Sequence, residues 1–395
     1  MAAKVIVLGG GFAGLSAVGA LGPHVARGDL SVRLVDARPV SEFSPLYPDA
    51  ISLKVRPRYM QFPLDPFCRR HGAEFVRAEV RSLRPDGGVV TSAGPMEADF
   101  LICALGCRTN YFGQDALQRH APGLKSLAEA EAIRRAVLRR ARAAGPAGPL
   151  NILVVGGGYT GFETAGHLSL LLQKAFGHRG LGRRATLTLV ELQEDVLTML
   201  PPDVRRWAAG RAKAAGIGIR TGLTVQHLQG DTAVLTDGSA VPDAMVIWTA
   251  GVTPVQPAAD LEADRTAGSR LAVDDCLRVG GGERLFAAGD VAGPRPGGRD
   301  RPLRPSVQFA LAGGAAAAAN VAAAATGRDL QPFDPWDPGY VLPLGKGIGA
   351  GRIMGIPLAG RIPYLLHYFM SAFRSFGWRN RLGVAGDVLG RNPIH

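Results

Sequence analysis

Two glycine-rich turns are the residues of this 395-residue chain whose types and spacing could do chemistry. Gly9, Gly11 and Gly14 lie in KVIVLGGGFAG, and Gly156, Gly158 and Gly161 lie in NILVVGGGYTG. Each set has the spacing G-x-G-x-x-G and directly follows an aliphatic run. Such a turn suits a pyrophosphate. One glycine permits the tight bend, one lets phosphate approach the backbone, and one lets the following helix pack close to the strand. The phosphate then rests on free N–H groups at the positive end of that helix. About twenty to thirty residues further on, each unit has a second apolar run that closes with an acid, Asp36 after SVRLV and Glu191 after ATLTLV. An acid there accepts hydrogen bonds from ribose hydroxyls and repels a 2′-phosphate, which favours NAD over NADP at the second turn. Either acid alone could simply cap a strand edge. The order of strand, glycine turn, strand and acid occurs twice, and it predicts two bound dinucleotides.

These turns need parallel strands that feed helices. The fold expected is therefore α/β, with two Rossmann-like dinucleotide-binding domains and a C-terminal amphipathic segment. A chain of this length that is 47% hydrophobic can bury more than one core. Between the two units, Ser41–Met60 reads as loop or short helix around FSPLYPD. Glu74–Leu83 and Val89–Ser92 read as antiparallel strands about the turn at Pro85–Gly88, and FLICALG (Phe100–Gly106) reads as a buried strand. Gly106 either ends that strand in a simple turn or lets backbone approach the ligand. Leu127–Ala144 is a charged helix, and Gly145–Pro149 a breaker leading into the second unit. After the second helix, FGHRGLGRR reads as a solvated basic loop. Then come a helix at Asp203–Ala215, strands at Ile217–Thr221 and Thr224–Leu228, and a hairpin turning on Asp237-Gly238. MVIWTAG (Met245–Gly251) repeats the pattern of FLICALG. RLFAAGDVA (Arg284–Ala292) puts Asp290 after a strand, where it suits sugar-like hydroxyls. Ser306–Thr326 is an Ala-rich helix with small residues for close packing against a sheet or a flat cofactor.

Composition narrows the class. The first strand begins at Lys4, which leaves no room for a signal peptide, and no run of 18 or more uninterrupted apolar residues occurs. The expected location is therefore cytoplasmic, or cytoplasmic and bound to a membrane surface. Cys68, Cys103, Cys107 and Cys276 form no C-x-x-C pair and no zinc-like cluster, so no metal site is expected. The net charge of +12 fits nucleic acid, an anionic membrane, anionic cofactors or an Arg-rich codon bias, but no nucleic-acid-binding motif supports the first. Seven basic residues against one acid lie between Lys346 and His395, half of the whole excess. Within that stretch, Arg361–Arg381 places Ile362, Leu365, Leu366, Phe369, Phe373 and Phe376 at spacings of three and four. This predicts an amphipathic helix lying in a membrane interface. A helix packed on the protein's own core, or on a second copy, is the alternative.

Taken together, GGGFAG with Asp36, FSPLYPDA, ALGCRTNYFG, VVGGGYTGFETAGHL, TAGV and FAAGDVA resemble the type II NADH dehydrogenases. These are single-subunit NADH:quinone oxidoreductases among the flavoproteins with two dinucleotide-binding domains. The resemblance covers nearly the whole chain. It implies FAD along Gly9, Gly11, Phe12, Ala13, Gly14, Asp36, Val80, Gly106, Gly289 and Asp290, with its ring near Gln308. It implies NADH along Gly156, Gly158, Tyr159, Thr160, Gly161 and Glu191, with Gly251 near the nicotinamide. The FAD domain would be discontinuous, 1–113 and 274–330. It would flank an NAD domain at 114–273, and a membrane and quinone segment would follow at 331–395.

The implied reaction carries a hydride from NADH to FAD and two electrons on to a membrane quinone, menaquinone or ubiquinone, without proton pumping. The enzyme would sit peripherally on the inner face of the cell membrane, and a homodimer is compatible with it. The cofactor carries the hard chemistry, so the absence of a Ser/His/Asp or Cys/His constellation is expected. Glu163, the acid of GGGYTGFE, and Gln308 are the candidate catalytic residues. Glu163 is either a proton donor to the reduced quinone or a first-turn acid held by the helix dipole. Ala312 occupies the position where the family usually has a second glutamine linked to the quinone. Sulfide:quinone oxidoreductases share this expected fold but use a redox cysteine late in the chain, and none follows Cys276. A flavin-bound NADH sensor of the apoptosis-inducing-factor type, acting through a partner, is the reading from a different class.

Overall fold

The structure is a computed structural model, and it describes residues 2–144, 150–177, 184–345 and 347–390. The expected breaker at 145–149 and most of the basic insertion, 178–183, lie outside the described residues. Two compact units divide the chain. One comprises Met1–Ser41, Phe62–Arg108 and Val252–Asp337, and the other Glu42–Gln61, Thr109–Gly251 and Pro338–His395. Glu42–Gln61 and the C-terminal segment both fall in the unit that holds the second glycine turn.

The first unit is built on five parallel strands in the order Leu285–Ala287, Phe100–Cys103, Ala3–Leu8, Leu30–Asp36, Glu74–Arg77. Their near-continuous apolar runs fit a sheet covered on both faces. The helix Phe12–Ala26 leaves the central strand at the first glycine turn and packs along the helix Val307–Ala325. Small residues set that approach. A Cβ on Gly314 would overlap the backbone of Ala13, and Ser16 Oγ donates to the carbonyl of Leu311 at 2.7 Å. Val307–Ala325 is long and apolar enough to cross a membrane, yet it serves here as a core helix, with half of its most apolar stretch buried. Glu74–Leu83 is two strands rather than one. Glu74–Arg77 joins the parallel sheet, and Val80–Leu83 pairs antiparallel with Gly88–Thr91, because the chain must leave one sheet to begin the other.

The second unit repeats the plan with four parallel strands in the order Gly218–Arg220, Ala185–Val190, Leu150–Val155, Ala244–Trp248. The helix Tyr159–Phe176 follows the second glycine turn. A three-stranded antiparallel sheet, Val225–Gln229, Thr232–Leu235 and Ala240–Val241, includes the hairpin expected at Asp237-Gly238. The short helix Tyr47–Ser52 packs against both Tyr159–Phe176 and the helix Leu127–Ala143.

The C-terminal segment begins with antiparallel strands Gly339–Pro343, Gly349–Ile353 and Ile356–Gly360. The single helix expected over Arg361–Arg381 is two helices, Arg361–Arg374 and Trp378–Leu389, broken where Gly377 takes φ +79°. The second is clamped down by the fully buried carboxylate of Asp387. It accepts from the backbone N–H of Arg56 at 2.8 Å and from its guanidinium at 2.5 Å. Asn380 Nδ2 donates to the carbonyl of Gln61 at 2.8 Å beside it.

Candidate functional site

The two glycine turns have the same geometry. Gly9 and Gly156 adopt φ of +100° and +110°, a backbone conformation that side chains rarely tolerate. Gly14 and Gly161 each press on the carbonyl of the first glycine of their own turn, so that a Cβ at either would overlap it. Gly11 and Gly158 face open space and begin the helices without a side-chain cap, which leaves the first-turn N–H groups directed at that space. The acids close both turns in the same way. Asp36 Oδ2 accepts from the N–H of Gly10 at 2.7 Å and Oδ1 from that of Arg38 at 2.8 Å. Glu191 Oε2 accepts from Gly157 N–H at 2.5 Å and Oε1 from Gln193 N–H at 2.8 Å. Each carboxylate oxygen retains a lone pair for a ribose hydroxyl. The sequence pointed to the acids but not to their second duty, which is to hold the middle glycine of the turn in place.

In the first unit, Ala288, Gly289 and Asp290 line a cavity with Pro305, Ser306, Phe309 and Gly313. The half-buried carboxylate of Asp290 makes no hydrogen bond among the described residues, while its backbone carbonyl accepts from Arg270 Nε at 3.0 Å. Ser306 caps the Val307–Ala325 helix, and the helix N-terminus opens on the same cavity. Gln308 Nε2 donates to Asp337 Oδ1 at 3.3 Å, and Asp337 is itself gripped by both terminal nitrogens of Arg304, at 2.6 and 2.8 Å. Nothing in the sequence singled out Arg304 or Asp337. Val80 is buried in the core of this unit, Gly106 has φ +72°, and Ala312 is half-buried on the long helix. A cradle of unblocked glycines, a ribose-ready acid, and a further carboxylate and a helix end at one cavity fit a bound dinucleotide of the FAD type.

In the second unit, Tyr159 and Thr160 open the helix, and the Tyr159 ring meets that of Tyr340 at 4.9 Å. Gly251, φ +90°, lies against the exposed ring of Phe112, and its carbonyl accepts from Asn110 N–H at 3.3 Å. One turn inside the helix, Glu163 is half-buried. Desolvation, with the field of Asp49 added, pushes its carboxyl well above the usual range. It is thus protonated where an exposed glutamate would be ionised, and a proton donor needs that state.

The sequence did not reveal the company Glu163 keeps. Asp49 from FSPLYPD and His167, one turn beyond Glu163, are both buried, with Nε2 and Oδ2 at 3.6 Å. Burial raises Asp49 to about 7, only partly offset by the hydrogen bond from Tyr368 and the charge of Lys54, and burial lowers His167 to about 3. Burial disfavours both charged forms, and because the His167 imidazole is neutral the contact is not an ion pair. Of the loop or short helix expected around FSPLYPD, the helix forms: its two prolines start a 3-10 turn and then the helix that presents Asp49.

The four cysteines are free, and burial pushes Cys68 up to about 11 and Cys103 up to about 12, which leaves both as inert thiols. Among the described residues no group of His, Cys, Asp and Glu could hold a metal.

Comparison with known proteins matches this geometry. The family model described as pyridine nucleotide-disulphide oxidoreductase matches residues 3–319. A type II NADH:quinone oxidoreductase of Staphylococcus aureus strain NCTC 8325 is 25% identical over 374 residues, covering 91% of each chain. The solved structure of NDH2 from Plasmodium falciparum in complex with NADH superimposes with a TM-score of 0.87 at 15% identity over the whole of both chains. The sulfide:quinone oxidoreductase of Aquifex aeolicus follows at 0.76 and 18%, over 100% of this chain and 97% of that one, a likeness of fold alone. With the match spanning most of its length, the chain belongs to the pyridine nucleotide-disulphide oxidoreductase family.

Proposed function

We propose that this flavoprotein takes a hydride from NADH and delivers two electrons to a membrane quinone, menaquinone or ubiquinone. The observation that carries the reading is the doubled glycine turn, each copy locked by its own acid. FAD is held by the first unit along Gly9–Gly14, Asp36, Val80, Gly106, Gly289 and Asp290, with Gln308 at the ring. NADH is held by the second along Gly156–Gly161, Glu191 and Gly251. FAD, when bound, supplies the two-electron relay between the nicotinamide and the quinone. The chain's own part is to orient both nucleotides, to exclude water and to move protons. NADH brings one proton with its hydride, and a quinol needs two, so each turnover takes one further proton from the protein. Glu163, raised by burial and held in protonated form, donates it. Steady-state oxidation of NADH by menaquinone and ubiquinone analogues tests the reading, and turnover no faster than with oxygen alone contradicts it.

Glu191 sets the nucleotide preference in this account. Glu191→Gln keeps an acceptor for the Gly157 N–H but removes the charge that repels a 2′-phosphate. The ratio of flavin reduction rates with NADPH and NADH should rise about tenfold, read by stopped-flow absorbance, since 1.4 kcal/mol of lost repulsion corresponds to that factor.

The apolar face of the C-terminal helices docks on an anionic membrane. Ile362, Leu365, Phe369 and Phe373 are all about three-fifths or more exposed, and Trp378, Leu382 and Leu389 continue the stripe on the second helix. Exposed Arg361, Arg379 and Arg381 suit anionic headgroups. The opposite face of the first helix is buried through His367, Tyr368 and Ser371, so deleting the segment would open the core. Phe369→Ser combined with Phe373→Ser is the cleaner test. Flotation with anionic vesicles should weaken at least about tenfold while FAD content and reduction by NADH persist, because each phenylalanine loses roughly 1.5–3 kcal/mol of burial. Flotation unchanged from wild type contradicts a membrane-facing stripe.

A further inference from the structure

We propose that Asp49, His167 and Tyr368, with Lys54 and Tyr364, form a proton store that reloads Glu163 between turnovers. The proposal rests on the reading of Glu163 as proton donor. It assigns a function to a buried polar cluster which the two nucleotide turns leave unexplained.

Three helices contribute, all within the second unit. Tyr368 Oη donates to Asp49 Oδ1 at 2.8 Å, and both side chains are buried. Asp49 Oδ2 faces His167 Nε2 at 3.6 Å, and the other ring nitrogen, Nδ1, shares a hydrogen bond of 2.8 Å with Ser52 Oγ. His167 lies four residues after Glu163 on the same helix, so the two side chains share a face. Lys54 Nζ donates to Tyr364 Oη at 2.6 Å and stands 4.9 Å over the Tyr368 ring. Tyr364 and Lys54 are only half-buried, and they form the end of the chain nearer to solvent. His367 packs edge-on against Tyr368 at 4.9 Å, and its buried Nε2 has no hydrogen-bond partner among the described residues. Lys174, which reaches the Ser52 carbonyl at 3.4 Å, completes the groups facing the cluster.

The electrostatics suit storage. The field of Asp49 adds to the desolvation that raises Glu163, since two carboxyls near one another cannot both ionise cheaply. His167 and His367 are held neutral by burial, at about 3 and about 4, so they do not compete as cations. Lys54 and Lys174 are then the positive charges that lower His167 further and offset a carboxylate. In the cycle, the Glu163 O–H bond breaks as the quinol O–H bond forms. The Glu163 carboxylate takes the proton of Asp49, and Asp49 recovers one from solvent through the Tyr368 hydroxyl, beside whose ring Tyr364 and Lys54 stand. Per turnover, one proton enters from solvent and one leaves on the quinol, beside the hydride from NADH.

Asp49→Asn tests the proposal, because the amide keeps the hydrogen bond from Tyr368 but cannot pass an acid proton. Anaerobic reduction by NADH and the first quinol formed per enzyme should match wild type, since Glu163 starts loaded. Later turnovers should slow about tenfold or more, giving a burst of one quinol, with an increased solvent isotope effect. Infrared titration provides a readout apart from activity. Wild type should show a protonated-carboxyl stretching band that disappears at about pH 7, and Asp49→Asn should lack it. Should that variant fail to fold, Tyr368→Phe serves. Removing a hydrogen bond that stabilises the Asp49 carboxylate should move both that band's titration and the alkaline limb of turnover to higher pH. Burst-free turnover at the wild-type rate in Asp49→Asn, or an unmoved titration in Tyr368→Phe, overturns the store. Glu163→Gln with a normal first turnover overturns instead the donor reading on which it rests.

Discussion

Glu163→Gln is expected to lower quinone turnover by about 10²–10⁴-fold while leaving reduction by NADH unchanged, the range typical of losing a positioned general acid. The substitution is nearly isosteric and exchanges a half-buried carboxyl, whose protonated form desolvation favours, for a neutral amide, so its cost to folding should be small. The pH profile gives the sign. Burial raises the Glu163 carboxyl, so the donor form persists through neutral pH and is lost as pH rises through the elevated value. Wild-type quinone turnover should therefore fall on the alkaline side, and Glu163→Gln should show no such limb. Measurement of the two half-reactions across pH checks both statements. An equal loss in both halves would assign Glu163 to the integrity of the helix instead.

Gly161→Ala should produce the opposite split. A Cβ there would overlap the carbonyl of Gly156, so the helix and strand must move apart at the proposed pyrophosphate site. Overpacking of this kind costs roughly 1–3 kcal/mol, and the displaced N–H groups lose further binding energy, so the KM for NADH should rise about ten- to a hundredfold. FAD content should stay full. Gly14→Ala, the same change in the first turn, should instead yield protein depleted of FAD. Saturation kinetics and flavin absorbance on the two variants separate the sites, and FAD loss in both would contradict the assignment of one nucleotide to each turn.

The two nucleotide turns were legible in the sequence because their requirements are local. A positive φ at Gly156 and a close approach at Gly161 can be met only by glycine, and the acid closing the next strand lies at a fixed topological distance. The cluster around Asp49 was not legible for the complementary reason. Asp49, Glu163 and Tyr368 lie far apart in the chain, and what unites them is packing of three helices, to which no sequence spacing corresponds. The short helix expected around FSPLYPD forms, but no pattern in it marks Asp49, and no spacing marks His167. The C-terminal segment shows a third case. Of the apolar residues whose periodicity marked a stripe, Ile362, Leu365, Phe369 and Phe373 are exposed, while Leu366 and Phe376 are half-buried. The periodicity missed the break before Trp378, because a glycine near the end of a periodic run is compatible with either a helix or two helices. Arg304 and Asp337 escaped detection altogether, since a bidentate pair carries no motif.

The central claim is that one chain links NADH to a quinone through a flavin in two separable steps. Anaerobic stopped-flow mixing of the FAD-loaded protein with NADH, and then of the reduced protein with a menaquinone or ubiquinone analogue, tests it most directly. The account predicts fast bleaching of the flavin by NADH, slower bleaching by NADPH, and reoxidation by quinone much faster than by oxygen. Reduction by NADH followed by quinone reoxidation no faster than that by oxygen would contradict it.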